Sequence, residues 1–319
     1  MAPDIGDLSS IQIELPFAMS STGGSGFRVG TVFECPRMAA LTLLGWRLKR
    51  LAAPLWYGRV IHENAFLPYT DPENPHDLPE EARAEVAEIC DKEKIVEVWT
   101  DQKGEEHTEE TVVEVSDSDR EILPETASNQ MTVWEDARYP TEDIMACEKK
   151  VVSNLIDPET GNVPAEAEGV RLTGRIDLLH TVPKITDLKT SAQSLKQFWY
   201  EQLDYHRQAS TYRYLVMAGF NIRVDDLSCF QLTKHRRLET IRKHAHEVAI
   251  EKPLRFSRIF MEYFAALRAL RKCARTRTWE CNWHACQGKW RPCRFLPLCW
   301  ADQYDDPQEF TKTLVRKEI

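Results

Sequence analysis

Asp177, Asp187 and Lys189 form the strongest candidate for a chemical site in this sequence of 319 residues. Two carboxylates that share a small volume repel each other unless a divalent cation lies between them. A lysine beside such a cation can orient or deprotonate a water molecule, or stabilise negative charge on a phosphate. We therefore interpret the three side chains as one candidate site for a metal ion and a water molecule.

Two strands joined as a hairpin are predicted to carry these residues. Pro183 lies between two short apolar runs and suits the turn. Side chains alternate faces along a strand, so Asp187 and Lys189 project to one side while Leu188 enters the core. If the strands are antiparallel neighbours, Asp177 comes close to that side. The predicted strands cover residues 174–181 and 184–190.

A charged strand pair can also be no more than a solvated face, because motifs of this length recur by chance. However, Gly-x-x-Asp ending at Asp177, followed by Asp-x-Lys ending at Lys189, resembles the core of the PD-(D/E)XK nuclease superfamily, specifically its RecB-type branch. The resemblance gains weight only if further motifs of that branch occur in the same order along the chain.

Two further motifs do occur in that order. Gly58 and His62 resemble the Gly-x-x-x-His helix of the branch, in which the histidine is a metal ligand, although a lone histidine is usually a packing residue. A helix predicted over residues 194–218 places Gln208 and Tyr212 on one face. This Gln-x-x-x-Tyr pair matches a motif that the branch associates with DNA contact near the active site.

The resemblance implies a metal-dependent DNA nuclease, an exonuclease that hydrolyses phosphodiester bonds at DNA ends. The process served would be DNA repair, recombination or the processing of phage or CRISPR DNA. The resemblance also implies that Lys189 positions the attacking water and that one or two Mg²⁺ or Mn²⁺ ions are bound. The ligands so implied are His62, Asp177, Asp187 and the carbonyl of Leu188. Glu148 lies where the family often has a strand that carries an acidic residue. It is a weaker candidate for the site than the other carboxylates.

Nine cysteines, in a sequence where we recognise no export signal, favour metal ligation over disulfides. Cys35 precedes Pro36 at the predicted start of a helix. Four more lie close together near the end of the sequence: Cys281, Cys286, Cys293 and Cys299. Soft thiolates suit zinc or an iron–sulfur cluster, and composition does not choose between them.

Iron–sulfur nucleases of the RecB type, which include CRISPR adaptation nucleases and AddB-type subunits, have a similar arrangement of cysteines. That resemblance implies a structural [4Fe-4S] cluster on Cys35, Cys286, Cys293 and Cys299, with Zn²⁺ as the alternative. Cys281 is then a spare or a rival ligand.

The net charge of −9 is concentrated in one segment. Residues 71–126 hold 20 of the 50 acidic residues but only 5 of the 41 lysines and arginines, so the rest of the chain is mildly basic. A basic remainder permits phosphate binding. We interpret the segment as an acidic insertion with a solvated face, and a lid or a partner surface is the alternative.

The resemblance predicts one nuclease domain over 1–319 with an α/β fold, in which a restriction-endonuclease-like mixed central sheet is flanked by helices. Its parts are an N-terminal helical part (31–70), the acidic insertion (71–126), a catalytic core (144–250), and a C-terminal helix with a cysteine-ligated cluster loop (255–300).

DNA is the expected partner, and a helicase or a recombinase is a further candidate. No apolar stretch approaches the ~20 residues of a membrane span, and the first residues lack a signal-peptide pattern, so we expect a cytoplasmic protein. The alternative function is a non-catalytic cysteine–metal module for DNA binding or assembly. The intact Asp, Asp, Lys set argues against that alternative.

Overall fold

The computed structural model describes residues 8–20, 27–48, 50–101, 103–191, 203–250, 253–282, 284, 286, 293–299 and 314–316. The predicted start of the helix at residue 194 lies outside the described residues.

The strands of the described residues are, in chain order, β1 (Phe17–Ser20), β2 (Phe27–Arg28), β3 (Trp46–Leu48), β4 (Arg50–Leu51), β5 (Lys94–Thr100), β6 (Glu106–Val113), β7 (Ile144–Asn154), β8 (Val170–His180), β9 (Lys184–Ser191), β10 (Asp226–Thr233), β11 (His246–Ala249) and β12 (Leu314–Arg316). The helices are α1 (Gly30–Glu34), α2 (Pro36–Leu43), α3 (Ala53–Thr70), α4 (Leu78–Lys92), α5 (Asp117–Ala137), α6 (Leu203–Phe220), α7 (Leu238–His244), α8 (Phe256–Thr276) and α9 (Leu296–Cys299).

A mixed sheet of seven of these strands forms the centre of the fold. Its neighbours run in the order β11, β10, β9, β8, β1, β2, and β7 also pairs with β8. β8 is antiparallel to both β7 and β9, whereas β9 and β10 are parallel. Helices cover the sheet on both faces, so the predicted α/β class with a mixed, helix-flanked sheet is confirmed.

Two apolar cores lie on the two faces of this sheet. On one face, α6 and α8 pack with α1 and α2, and the apolar face of α8 is buried, including Tyr263 and Leu267. On the other face, α3, α4 and α5 enclose Trp56, Trp134 and Phe230. None of the described helices combines the length and apolar character needed to cross a bilayer.

The predicted hairpin is confirmed, and its two strands part soon after the turn. β8 and β9 pair at Leu178 with Thr186 and at Leu179 with Ile185, and no further pair of the two strands follows in the described residues. β9 then continues along β10, while β8 continues along β7 and β1. A gap therefore opens in the sheet beside Asp177.

The acidic stretch 71–126 contains α4, the β5–β6 hairpin and the first part of α5. The helix α4 covers Leu78–Lys92, and the second strand of the hairpin begins at Glu106. α5 runs past residue 126 to Ala137, because Trp134 on its last turns is buried in the core. The apolar faces of α4 and α5 are buried against α3, and most of their acidic side chains are exposed.

Candidate active site

Five elements bring polar side chains to the gap between β8 and β9. These side chains are His62 from α3, Glu148 from β7, Asp177 from β8, Asp187 and Lys189 from β9, and Gln208 and Tyr212 from α6. Both faces of the sheet contribute, since α3 and α6 belong to different apolar cores.

Asp177 takes the place of the missing strand pairing in this gap. Its Oδ2 atom accepts a hydrogen bond from the backbone N–H of Leu188 at 2.8 Å. The same oxygen lies 3.7 Å from Nδ1 of His62. Asp177 is only 7% exposed, so the bond to β9 fixes its carboxylate in position.

Asp187 and Lys189 project to the same side of β9, as strand alternation predicts, and Leu188 between them is fully buried. The Lys189 ammonium lies 2.7 Å from Oδ2 of Asp187. Burial alone would lower the pKa of Lys189, but the charges of Asp187 and Asp177 outweigh it and raise that pKa well above its ordinary value. Lys189 therefore stays protonated in this site.

Glu148 completes a group of three that the sequence did not assemble. Ligand atoms of His62, Glu148 and Asp177 all lie within 4.8 Å of one another. The pairing of β7 with β8 places Glu148 opposite Asp177, because the residues on either side of Glu148 pair with Leu178 and Ile176. Glu148 has a φ of 47°, a left-handed conformation that is rare for this residue type and that clusters at functional sites.

Burial raises the pKa values of the acidic side chains of the site, and the charge of Asp177 adds to the shift at Asp187 and at Glu148. Burial raises the pKa of Asp177, and burial raises that of Asp187 to about 6 against the opposing charge of Lys189. Burial and the charge of Asp177 raise the pKa of Glu148 to about 8. Burial, with the nearby Lys189, lowers the pKa of His62 to about 4, so the imidazole is neutral near pH 7 and keeps a lone pair for a metal.

The donor set fits a divalent cation. Asp177 is near enough to Asp187 for its charge to raise the pKa of Asp187, and two adjoining carboxyl groups need a proton or a cation between them. The backbone of Leu188 lies beside His62, where it partly opposes the lowering of the imidazole pKa by burial. Carboxylate and carbonyl oxygens suit Mg²⁺, and a neutral imidazole suits Mn²⁺.

The structure thus brings all the residues predicted as metal ligands to one place, with one change of emphasis. His62 and Asp177 form the tightest group with Glu148, whereas Asp187 adjoins Asp177 and is paired with Lys189. The sequence made Glu148 a weaker candidate than the other carboxylates, and its register opposite Asp177 on β8 is what brings it into the group.

Gln208 and Tyr212 lie at the same carboxylates. The Nε2 atom of Gln208 donates to the Tyr212 hydroxyl at 2.7 Å and lies 3.5 Å from Oδ1 of Asp187. Tyr212 is 4% exposed, so its hydroxyl serves to hold Gln208. DNA contact by this pair stays a prediction, with Gln208 as its more exposed member.

Both motif glycines permit close approach between elements that carry site residues. Gly58 lies one helical turn before His62 on α3, and a Cβ at this position would lie 3.0 Å from Oγ1 of Thr190 on β9. A Cβ at Gly174 would lie 2.7 Å from Cδ1 of Leu215 on α6. The absence of side chains at these two positions therefore sets how closely α3 and α6 approach the strands of the site.

Gly174→Ala should lower the free energy of unfolding by about 1–3 kcal/mol, the usual cost of overpacking a core. The added methyl group meets Leu215, which is fully buried and cannot move aside. Urea denaturation measures the change. The matched control is Gly30→Ala, whose nearest neighbour would lie at an ordinary 3.4 Å. Equal stability of the two variants would contradict the close contact.

A second group of candidate ligands joins the two ends of the described chain. Cys35 caps α2, and its Sγ atom accepts the backbone N–H of Asn282 at 3.4 Å. The Sγ atoms of Cys281 and Cys286 lie 3.7 Å apart. The backbone N–H of Cys293 donates to the Cys286 carbonyl at 2.9 Å. These contacts bring cysteines distant in sequence together, and all nine cysteines of the chain are free thiols.

The surroundings of these thiols favour the neutral form, so a metal cation would be needed to hold them as thiolates. Burial raises the pKa of Cys299 to about 11, the Arg37 guanidinium opposes that shift, and Cys293, Cys35 and Cys286 add to it. The Arg37 Nε atom is buried and has no hydrogen-bond partner in the described part of the chain. A cationic N–H donor is thus available beside the sulfur atoms. Cys281 lies within the group, so the choice of a fourth ligand stays open.

Comparison with known proteins gives a family match and similarities to solved structures. Residues 26–299 match the family model of the PD-(D/E)XK nuclease superfamily. Among solved structures, the chain is similar to a candidate exonuclease from Eubacterium rectale, with 13% sequence identity, a TM-score of 0.49, and coverage of 95% of this chain and 91% of that chain. No curated protein matches the chain significantly. The family match spans every residue named above for the two candidate sites.

Proposed function

The chain belongs to the PD-(D/E)XK nuclease superfamily, and from this premise we propose that it is a metal-dependent DNA exonuclease of the RecB-type branch. The observation that supports this most is the meeting of His62, Glu148, Asp177, Asp187 and Lys189 at one gap in the sheet. In this proposal the enzyme hydrolyses phosphodiester bonds at DNA ends.

A bound Mg²⁺ or Mn²⁺ ion would supply Lewis-acid stabilisation of the charge that develops on the phosphate. His62, Asp177 and Glu148 would hold it, with Asp187 and the Leu188 carbonyl beside them. These residues belong to four elements, so the packed fold holds them in place before any substrate arrives.

Lys189 would position the water that attacks phosphorus. Its ammonium group lies 2.7 Å from Asp187 and stays charged, so it would act as a hydrogen-bond donor to a water or to a phosphate oxygen. Gln208, held in turn by Tyr212, lies at the partly exposed edge of the same group and would meet the DNA strand.

The cysteine group would hold a [4Fe-4S] cluster on Cys35, Cys286, Cys293 and Cys299, with Cys281 as a rival ligand and Zn²⁺ as the alternative metal. Its proposed role is structural, because it would tie α2 to the segment that contains α9. A single domain over 1–319, a role in DNA repair, recombination or phage or CRISPR DNA processing, and a helicase or recombinase partner rest on the RecB-type resemblance.

Digestion of end-labelled single- and double-stranded DNA with Mg²⁺ or Mn²⁺ tests the proposal, with covalently closed circular DNA alongside. We expect loss of linear DNA that a chelator abolishes, and persistence of circular DNA. Equal digestion of circular DNA would show an endonuclease. If neither metal supports cleavage of any substrate, the proposed activity is wrong.

The choice of metal tests the role of His62. We expect Mn²⁺ to support at least as much cleavage as Mg²⁺, because an imidazole ligand suits Mn²⁺ better, and we expect His62→Ala to narrow the difference. Initial rates at equal metal concentrations give the comparison. His76→Ala is the matched control, since His76 faces Glu81 in the acidic stretch. A strict Mg²⁺ requirement that His62→Ala leaves unchanged would exclude His62 as a ligand.

A further inference from the structure

A cavity of about 350 Å³ lies between the N-terminal segment and the last turns of α8, and we call it the arginine cavity. Its lining residues are Ser9, Ile11, Gln12, Ile13, Arg271, Ala274, Arg275 and Arg277. None of them belongs to the carboxylate site or to the cysteine group. The cavity therefore needs an explanation that neither candidate site supplies.

The lining is strongly basic. Three of the eight lining residues are arginines, and none of the eight is acidic. Arg271 donates a hydrogen bond to the backbone carbonyl of Glu166, and Arg268, one turn earlier, binds the Glu166 carboxylate through two nitrogen atoms. Arg275 and Arg277 form no ion pair with a described residue. Their positive charges are thus available to a ligand.

The backbone at Arg277 gives a second indication. Arg277 ends α8 with φ 56° and ψ 28°, a left-handed conformation that favours glycine at this position. The helix dipole accounts for a basic residue in the last turn, such as Arg275. It does not account for a non-glycine residue in a left-handed conformation beyond that turn, nor for a third arginine on the same cavity wall.

The remaining lining residues suit the rest of a nucleotide. Guanidinium groups bind phosphate through paired hydrogen bonds. The Ser9 hydroxyl and the Gln12 amide add polar groups, while Ile11 and Ile13 provide an apolar wall for a base or a sugar. A volume of about 350 Å³ is within the range of small-ligand pockets.

We propose that the arginine cavity binds a phosphorylated nucleotide, with Arg275 and Arg277 on the phosphate group. The inference rests on the proposed function, because a DNA nuclease meets such groups both in its substrate strand and in its mononucleotide products. In the first case the cavity anchors DNA away from the bond that is cleaved. In the second case it retains a free product.

The test compares the Arg275→Ala/Arg277→Ala variant with a matched control, Lys272→Ala/Arg223→Ala, which removes two exposed charges that do not line the cavity. Binding of a fluorescent single-stranded oligonucleotide is followed by anisotropy in EDTA at several KCl concentrations, and dAMP and inorganic phosphate are titrated by calorimetry. We expect oligonucleotide affinity to fall about tenfold, and the slope of log affinity against log salt to flatten by about 1.4, for two lost phosphate contacts. Gln12→Glu, which adds a negative charge to the lining, should also weaken binding.

Loss of oligonucleotide affinity alone would identify a backbone phosphate as the ligand, and loss of dAMP binding would identify a free nucleotide. Equal binding by the arginine variant and its control, for all three ligands, would overturn the proposal. Cleavage of labelled DNA by the unmodified protein is measured in parallel. If the unmodified protein does not cleave DNA but the arginine variant still binds more weakly than its control, the nuclease activity is refuted. The proposed nucleotide site is then still supported.

Discussion

Lys189→Ala should reduce DNA cleavage by roughly a thousandfold or more while the chain stays folded. The ammonium group lies among the acidic side chains at the centre of the site, 2.7 Å from Asp187. Its removal leaves the attacking water without its proposed donor. Single-turnover cleavage of end-labelled DNA gives the rate, and circular dichroism confirms the fold.

Lys184→Ala is the matched control for this prediction. Lys184 lies at the other end of the same strand, β9, and forms an ion pair with Glu247. We expect nearly full activity from it, because none of its described contacts reaches the carboxylate site. Full activity in a folded Lys189→Ala protein would refute the catalytic assignment.

The two aspartates of the site should be as sensitive as the lysine. Asp187→Ala removes the partner of Lys189, and we expect a comparable loss of cleavage. For Asp177 the better variant is Asp177→Asn, because an amide oxygen can still accept the Leu188 N–H and spares the cost of about 1–3 kcal/mol for an unsatisfied buried donor. Cleavage by either variant at the rate of the unmodified protein would exclude that residue from the site.

Cys35→Ala should abolish metal binding by the cysteine group and lower the stability of the whole domain. Protein purified without oxygen should be brown and contain about four iron atoms per chain. Cys35 and the last cysteines are separated by most of the chain, so a shared centre closes a long loop, and its loss should cost on the order of 4 kcal/mol of unfolding free energy by the loop-closure argument. Iron analysis and thermal unfolding measure both effects.

Cys273→Ala is the control, because Cys273 lies on α8 and packs against the apolar core next to that helix. It should keep its iron and its melting temperature. Colourless protein with one zinc per chain would show that the cysteine group binds Zn²⁺ and that the predicted iron–sulfur cluster is wrong. Iron that survives Cys35→Ala but not Cys281→Ala would show that the fourth ligand is Cys281, which the 3.7 Å contact with Cys286 makes the rival to test.

Local periodicity accounts for the parts of this protein that the sequence alone determined. Because side chains alternate along a strand, Asp187 and Lys189 had to share a side and Leu188 had to enter the core. A turn at Pro183 made β8 and β9 neighbours. A helix with 3.6 residues per turn placed Gln208 and Tyr212 side by side. Each of these relations lies within one element or one short connection.

Tertiary structure alone decided the distances between elements. Glu148 joins Asp177 only because β7 pairs with β8 in one register, and a shift of one residue would turn its side chain to the other face. Cys281 joins the other cysteines through contacts with a segment more than 200 residues away. The close approach of α3 and α6 to the strands depends on the absence of a side chain at Gly58 and at Gly174. Spacing along a chain sets the direction of a side chain within its element, whereas register and packing between distant segments set which side chains meet.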